Sequence, residues 1–298
     1  MPNCGPLKPV RIFSPAKINL LLAITSRRPD GYHDLISLVA PLDWGDRLEA
    51  EPAADFSLVC DDPAVPADGS NLVLRAAAAF RDATGWTGGA LFRLTKRIPM
   101  GAGLGGGSSN AVAALRALNE LAGRPLDHAG LEQLAAGLGA DCALFLAGAP
   151  VVLRGKGDLV EVLAPAVADR LRGRRVMIFK PGFGVATAWA YGRMAAQPQH
   201  YVAAEAVEAR LARWMNDAAA PPTAIVGNNM EAVVFAKYPA LPVLHERLRE
   251  RFGLMPGMSG SGSASFAFVD TQQDESAISG CIREAWGPGS FVVAANLA

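Results

Sequence analysis

The stretch Pro99-Met100-Gly101-Ala102-Gly103-Leu104-Gly105-Gly106-Gly107-Ser108-Ser109-Asn110 opens directly into an alanine- and leucine-rich segment of helical pattern. Five glycines in the seven residues from Gly101 remove the Cβ atoms that would hold an anion away from the backbone. They also permit the φ > 0 conformations that turn successive N–H groups inward. A helix start that follows such a loop adds unpaired amides and the positive end of the helix dipole. Read this way, the stretch is a phosphate cradle built from main chain.

Other readings of the loop are weaker. Gly101, Gly103 and Gly106 satisfy the dinucleotide-binding spacing, but that motif wants an acidic residue closing a second strand roughly 20 residues on. Here that region is helix, and Glu120 lies on the helix itself. A P-loop requires Lys directly after the last glycine, where this chain has Ser108. A flexible linker would not be framed by an apolar strand and an amphipathic helix.

Working outward, 298 residues suffice for one large or two medium domains, and two are expected, 1–164 and 165–298. With 28 basic against 28 acidic residues, no net field draws nucleic acid or anionic lipid. No apolar run reaches membrane-spanning length, and the amino terminus, with Lys8 and Arg11 among prolines, lacks a signal-type hydrophobic segment. A cytoplasmic protein is expected. Cys4, Cys60, Cys142 and Cys281 are scattered without a CxxC pair, which argues against a disulfide framework or a zinc site.

Upstream, Val10 to Ile24 alternates as a strand, and its period of two puts Lys17 and Asn19 on one face. Pro29, Asp30 and Gly31 then make a turn that delivers Tyr32 and His33, either a stacking and hydrogen-bonding pair for a flat ligand or ordinary loop packing. Strands are expected at Leu35–Leu42 and Arg47–Glu51, separated by a turn at Trp44, Gly45 and Asp46, with Phe56–Cys60 continuing the sheet. Asn71–Ala83 reads as a helix capped by Ser70 or Asn71 and stopped before Gly85. The strand Ala90–Ile98 feeds the glycine loop.

Downstream, Ala111, Leu115, Leu118 and Ala122 share a helical face, and a further helix runs from about Asp127 to Leu138. Asp141 follows immediately, between Gly139, Ala140 and the apolar run Cys142–Leu146. A carboxylate placed against such a run needs a partner or a changed pKa, and groups so placed are often catalytic; a cap or buried ion pair is the other reading. A hairpin spans Pro150–Leu163. Arg170–Arg175 reads as a solvated basic face, Val176–Lys180 as a strand, and Thr187 as the cap of a helix carrying Tyr191. Helices at Val202–Met215 and Leu241–Phe252 precede a second small-residue loop, Gly257–Ser263. The strand Ala264–Val269, a helix near Glu275–Ala285 and a strand near Phe291–Ala294 close the chain.

Three segments in this order, Ser14–Asn19, Pro99–Asn110 and Gly257–Ser263, resemble the three motifs of the GHMP kinase superfamily of small-molecule kinases. Pro29 to His33, the triple glycine before Ser108 and Ser109, and Leu138 to Asp141 resemble the branch whose acceptor is a cytidine-diphosphate methylerythritol.

That resemblance implies an α/β, two-domain GHMP kinase fold with the active site in the cleft. The N-terminal domain would be ribosomal-S5-like with a left-handed βαβ crossover, and the C-terminal domain ferredoxin-like. It implies transfer of the γ-phosphoryl of ATP to the acceptor's 2-hydroxyl in the non-mevalonate route to isoprenoids. Residues Pro99 through Ser109 would hold the ATP phosphates. Asp141 would act as general base beside Lys17, which keeps it ionised and offsets transition-state charge. Asn19 would orient substrate or Asp141, and Tyr32, His33 and Tyr191 would form the cytidine site. Mg²⁺ is expected with ATP, although no acidic residue stands out as its ligand. Ser37–Pro41 is less polar than the resemblance would suggest. A monomer or homodimer is expected. A relative acting on mevalonate, homoserine or a sugar would share the glycine loop but not Tyr32 and His33 in this setting. A metabolite sensor on the same scaffold would be expected to lack Lys17 or Asp141.

Overall fold

The alternating run after Val10 forms one unbroken strand, β1 (Val10–Arg27), and the next is longer still, β2 (His33–Ala53). These come from a computed structural model that describes residues 8–298, so the expectation for Cys4 lies outside the described residues. The chain forms two compact units: the described residues up to Ala16 with Gly45–Ile98 and Gly105–Gly148 make the first, and Lys17–Trp44, Pro99–Leu104 and Ala149–Ala298 the second.

In the first unit, β3 (Ser57–Cys60), α1 (Leu72–Thr84) and β4 (Gly89–Thr95) form a βαβ unit with β3 parallel to β4. Asn71 caps α1 by accepting from Val73 N at 2.9 Å, and Gly85 ends it in the left-handed conformation, as its sequence suggests. β4 also pairs antiparallel with Arg47–Ala53 of β2. Next come α2 (Gly106–Leu121), α3 (His128–Leu138) and the single turn α4 (Leu144–Ala147). α1, α2 and α3 pack on one another. α2 is buried along most of its length, its small Ala111, Ala113, Ala114 and Ala117 allowing close approach from several sides.

The expected turn at Trp44–Asp46 is instead the interior of β2. Gly45 is there because a Cβ would stand 2.2 Å from Ser14 O, so the glycine marks a close backbone crossing and not a reversal. β4 in turn stops at Thr95, three residues before the expected Ile98. The amides beyond it leave the ladder: Lys96 N donates to Asp61 Oδ1 at 2.7 Å, and Arg97 N and Ile98 N donate to Asp46 Oδ1 at 2.6 and 2.8 Å.

In the second unit, Ser37–Val39 of β2 pairs with β5 (Val151–Arg154), which forms the expected hairpin with β6 (Leu159–Val162). After α5 (Pro165–Ala168) come β7 (Arg175–Lys180), α6 (Thr187–Ala196), α7 (Ala204–Asn216), β8 (Gly227–Asn228) and α8 (Glu231–Lys237). The chain ends through α9 (Ala240–Phe252), β9 (Gly257–Met258), β10 (Ser265–Phe268), α10 (Glu275–Trp286) and β11 (Phe291–Asn296). β8 lies parallel to β1, while β11, β7, β10 and β9 form an antiparallel sheet in that order. Phe179, Leu244, Leu248, Ile278 and Ile282 fill the core between that sheet and α9 and α10.

Two local readings change. Thr187 does not cap α6; Ala186 occupies that position, and the Thr187 hydroxyl lies 2.9 Å from Ser261 Oγ. The basic stretch is not merely solvated: Arg170 stacks over Trp214 at 4.6 Å and donates to Trp214 O, Met215 O and Ala220 O, and Arg175 pairs with Glu275 at 2.8 Å. The last residues are tied down by main-chain bonds, from Leu297 N to Arg174 O and from Ala298 N to Pro41 O, both 3.0 Å. Among the described residues no helix is long and apolar enough to cross a membrane.

Candidate active site

The glycine loop is held at fixed points. Lys17 N donates to Leu104 O at 3.0 Å and Ala264 N to Ala102 O at 3.1 Å, with both loop side chains buried. Ser259 Oγ donates to Gly103 O at 2.9 Å, so the second small-residue loop is docked on the first. A Cβ on Gly103 would lie 2.1 Å from Ser259 O, and one on Gly106 would lie 2.9 Å from Lys96 Nζ. Gly103 is therefore required by the protein's own packing against main chain, a narrower reason than the ligand-facing one expected for all five, whereas Gly106 meets only side-chain atoms. Gly107 differs: it is exposed, and its Cβ would meet only Leu72 Cδ1, at 3.5 Å.

Gly105 begins α2 in the left-handed conformation, and no side chain caps the helix. The amides of a first turn have no intrahelical acceptor, so this start presents donors and a positive dipole end. Such an open, glycine-lined start fits a nucleotide phosphate group.

Period two does place Lys17 and Asn19 together. Both are buried, and Lys17 Nζ donates to Asn19 Oδ1 at 2.5 Å. Asn19 Nδ2 donates to Ser37 Oγ at 2.9 Å, and Asn19 N to Ser259 Oγ at 3.2 Å. Ser37 thus supplies a polar contact within a stretch whose Val39 and Ala40 are buried.

Asp141 stands half-buried in the turn after α3, where Cys142 N donates to Gly139 O at 3.0 Å. Cys142 is fully buried, which pushes its thiol up to about 11 against the opposing effect of the Ser108 hydroxyl in the first turn of α2. The charge of Asp141 raises the thiol further. The Asp141 turn and the open helix start belong to one unit. Lys17 belongs to the other unit.

His33 and Tyr191 lie side by side, with ring centroids 5.1 Å apart. A third ring, Tyr201, lies 5.9 Å from His33, and its hydroxyl is 3.1 Å from His33 Nε2. Sequence reading missed Tyr201 because it stands in a connecting segment with no motif around it. Burial, reinforced by the charge of Arg27, lowers the His33 pKa and keeps the ring neutral near pH 7. Tyr32 does not join this cluster by any ring contact; it is 60% exposed, with Lys156 Nζ 5.2 Å from its ring centroid.

The chain matches the N-terminal domain of GHMP kinases over residues 71–149 and their C-terminal domain over 203–287. The 4-diphosphocytidyl-2-C-methyl-D-erythritol kinase of Chlorobium limicola is 38% identical over 89% of this chain and 90% of its own length. The enzyme of that name from Synechococcus sp. is 36% identical over 95% and 94%. A crystal structure of 4-(cytidine 5'-diphospho)-2C-methyl-D-erythritol kinase superposes with a TM-score of 0.76 at 35% identity, covering 97% of this chain and 100% of that one. Homoserine kinase from Cytophaga hutchinsonii shares the fold, with a TM-score of 0.71 at 20% identity over 98% and 95%. GHMP kinases are ATP-dependent phosphotransferases, and at the identity and coverage of its nearer relatives the chain belongs to the 4-diphosphocytidyl-2-C-methyl-D-erythritol kinase family.

Proposed function

We propose that this kinase transfers the γ-phosphoryl of ATP to the 2-hydroxyl of 4-diphosphocytidyl-2-C-methyl-D-erythritol, with Asp141 as general base and Lys17 as the cation that offsets charge at the transferring group. The observation that carries this reading is the uncapped, glycine-lined start of α2, which shares a unit with the Asp141 turn. Phosphoryl transfer needs positioning and charge neutralisation more than covalent chemistry. The main-chain amides from Gly103 to Ser108 hold the phosphate tail. Asp141 accepts the proton of the attacking hydroxyl. Lys17, oriented by Asn19, supplies positive charge. His33 and Tyr191 receive the cytosine ring, and Tyr32 closes over it from its exposed position. Mg²⁺ brought in with the nucleotide would supply further charge neutralisation; the described residues offer no cluster of three or more His, Cys, Asp or Glu to hold it.

A coupled ADP-release assay with the cytidine-diphosphate acceptor, run beside mevalonate, homoserine and galactose, tests reaction and acceptor together. Turnover is expected with the first alone. Asp141→Asn keeps size and shape and is expected to lower kcat by about 10²-fold or more while nucleotide binding persists. Near-normal turnover of that variant would remove Asp141 from the mechanism.

A further inference from the structure

We infer that Ser37 is a positioning residue for phosphoryl transfer, acting through the Asn19 amide on the Lys17 ammonium; this rests on the role proposed above for Lys17. Ser37 is fully buried in β2, and nothing in its sequence neighbourhood marks it out.

A hydroxyl has one proton to give. Ser37 Oγ lies 2.6 Å from Leu21 O, and a backbone carbonyl only accepts, so the proton is committed there. What Ser37 offers Asn19 is therefore a lone pair, and the Asn19 atom 2.9 Å away must be its nitrogen. The flip of the amide follows: its oxygen faces Lys17 Nζ at 2.5 Å. The reverse flip would set an NH₂ group against an ammonium, donor against cation, in a buried site where such a mismatch is costly.

Ser259 completes the selection. Its Oγ accepts from Asn19 N at 3.2 Å and donates to Gly103 O at 2.9 Å, so its proton is directed to the glycine loop; the longer 3.4 Å approach to Asn19 Oδ1 is the poorer alternative. One buried hydroxyl, through the direction of its single proton, thereby decides which end of an amide meets the ammonium.

Ser37→Ala and the near-isosteric Ser37→Cys, a poor acceptor, are each expected to lower kcat about tenfold, with KM for ATP and for the cytidine-diphosphate acceptor changed less than twofold. Ser37→Thr, which keeps the hydroxyl, is expected to recover most of the turnover. Thermal unfolding of each variant accompanies the kinetics, and Ser37→Cys is read alone should Ser37→Ala fail to fold. A Ser37→Cys enzyme with kcat within twofold of the parent, or with its loss confined to KM, would overturn the inference. Lys17→Met separates the two levels: full turnover in that variant refutes the role of Lys17 itself. An inactive Lys17→Met beside an unimpaired Ser37→Cys refutes only the Ser37 relay.

Discussion

Asn110, on the first turn of α2, donates from its side-chain amide to the fully buried carboxylate of Asp46 on β2, at 2.8 Å. The same amide nitrogen is 2.8 Å from Ser14 Oγ, which donates in turn to Ser109 Oγ at 2.8 Å. Asp46 also pairs with the Lys96 ammonium, itself nearly inaccessible, and accepts Arg97 N and Ile98 N. The strand-to-loop junction and the start of α2 are thus anchored to one desolvated carboxylate. Replacing Asp46 with Ala leaves a buried cation and two amides unpaired, and breaking a buried pair in this way costs about 3–5 kcal/mol. Urea unfolding is expected to show a loss in that range for Asp46→Ala and a smaller one for Asp46→Asn, which keeps an oxygen acceptor.

Gly103 and Gly107 should separate packing from ligand binding. Gly103→Ala sets a methyl 2.1 Å from Ser259 O at a residue whose φ is +75°, so a lowered Tm and a raised KM for ATP are expected together. Gly107→Ala meets only Leu72 Cδ1 and is expected to keep its Tm within about 2 °C, as for a surface change below 0.5 kcal/mol. Weaker nucleotide binding in that variant, measured calorimetrically, would place the phosphate tail against α2.

Glu231 gives stability a pH dependence. Burial raises its carboxyl from 4.5 to about 7, against the opposing effects of the Met258 N–H, 2.8 Å from Oε1, and of the Arg249 charge. A group whose folded pKa lies above its unfolded one stabilises fully below the unfolded value, and its contribution is lost as pH rises through the folded value. The decline therefore spans about pH 4.5 to 7 and amounts to roughly 3 kcal/mol from that pKa difference. Glu231→Gln keeps the acceptor for Met258 N and is expected to flatten the decline, with a higher Tm than the parent at pH 8 and little difference at pH 4.5.

Tyr201→Phe removes the hydroxyl that holds His33 Nε2 while keeping the ring. KM for the cytidine-diphosphate acceptor is expected to rise severalfold, on the scale of about 1 kcal/mol for one hydrogen bond, with KM for ATP unchanged. Steady-state kinetics with each substrate varied in turn reads the difference.

How much of this was legible in the sequence depended on the range of the interaction. Local chemistry read well: the Asn71 cap, the Gly85 stop and the shared face of Lys17 and Asn19 all follow from neighbours a few residues apart. Gly45 and Asp46 were misread because a glycine beside an aspartate is ordinary turn chemistry, whereas both serve distant partners, Ser14 and Lys96. Thr187 looked like a cap because its true partner, Ser261, is 74 residues away. Tyr201, 168 residues from His33, carried no local signal at all. Three-motif order made the family readable, but Ser37 and Asp46, which help set those motifs in place, lie outside them.

The bonds from Ala298 N to Pro41 O and from Leu297 N to Arg174 O make the carboxyl end part of the second unit's framework. Removing Ala298 alone would strip the carbonyl of Pro41 of this donor, and removing Leu297 as well would take the donor from Arg174 O.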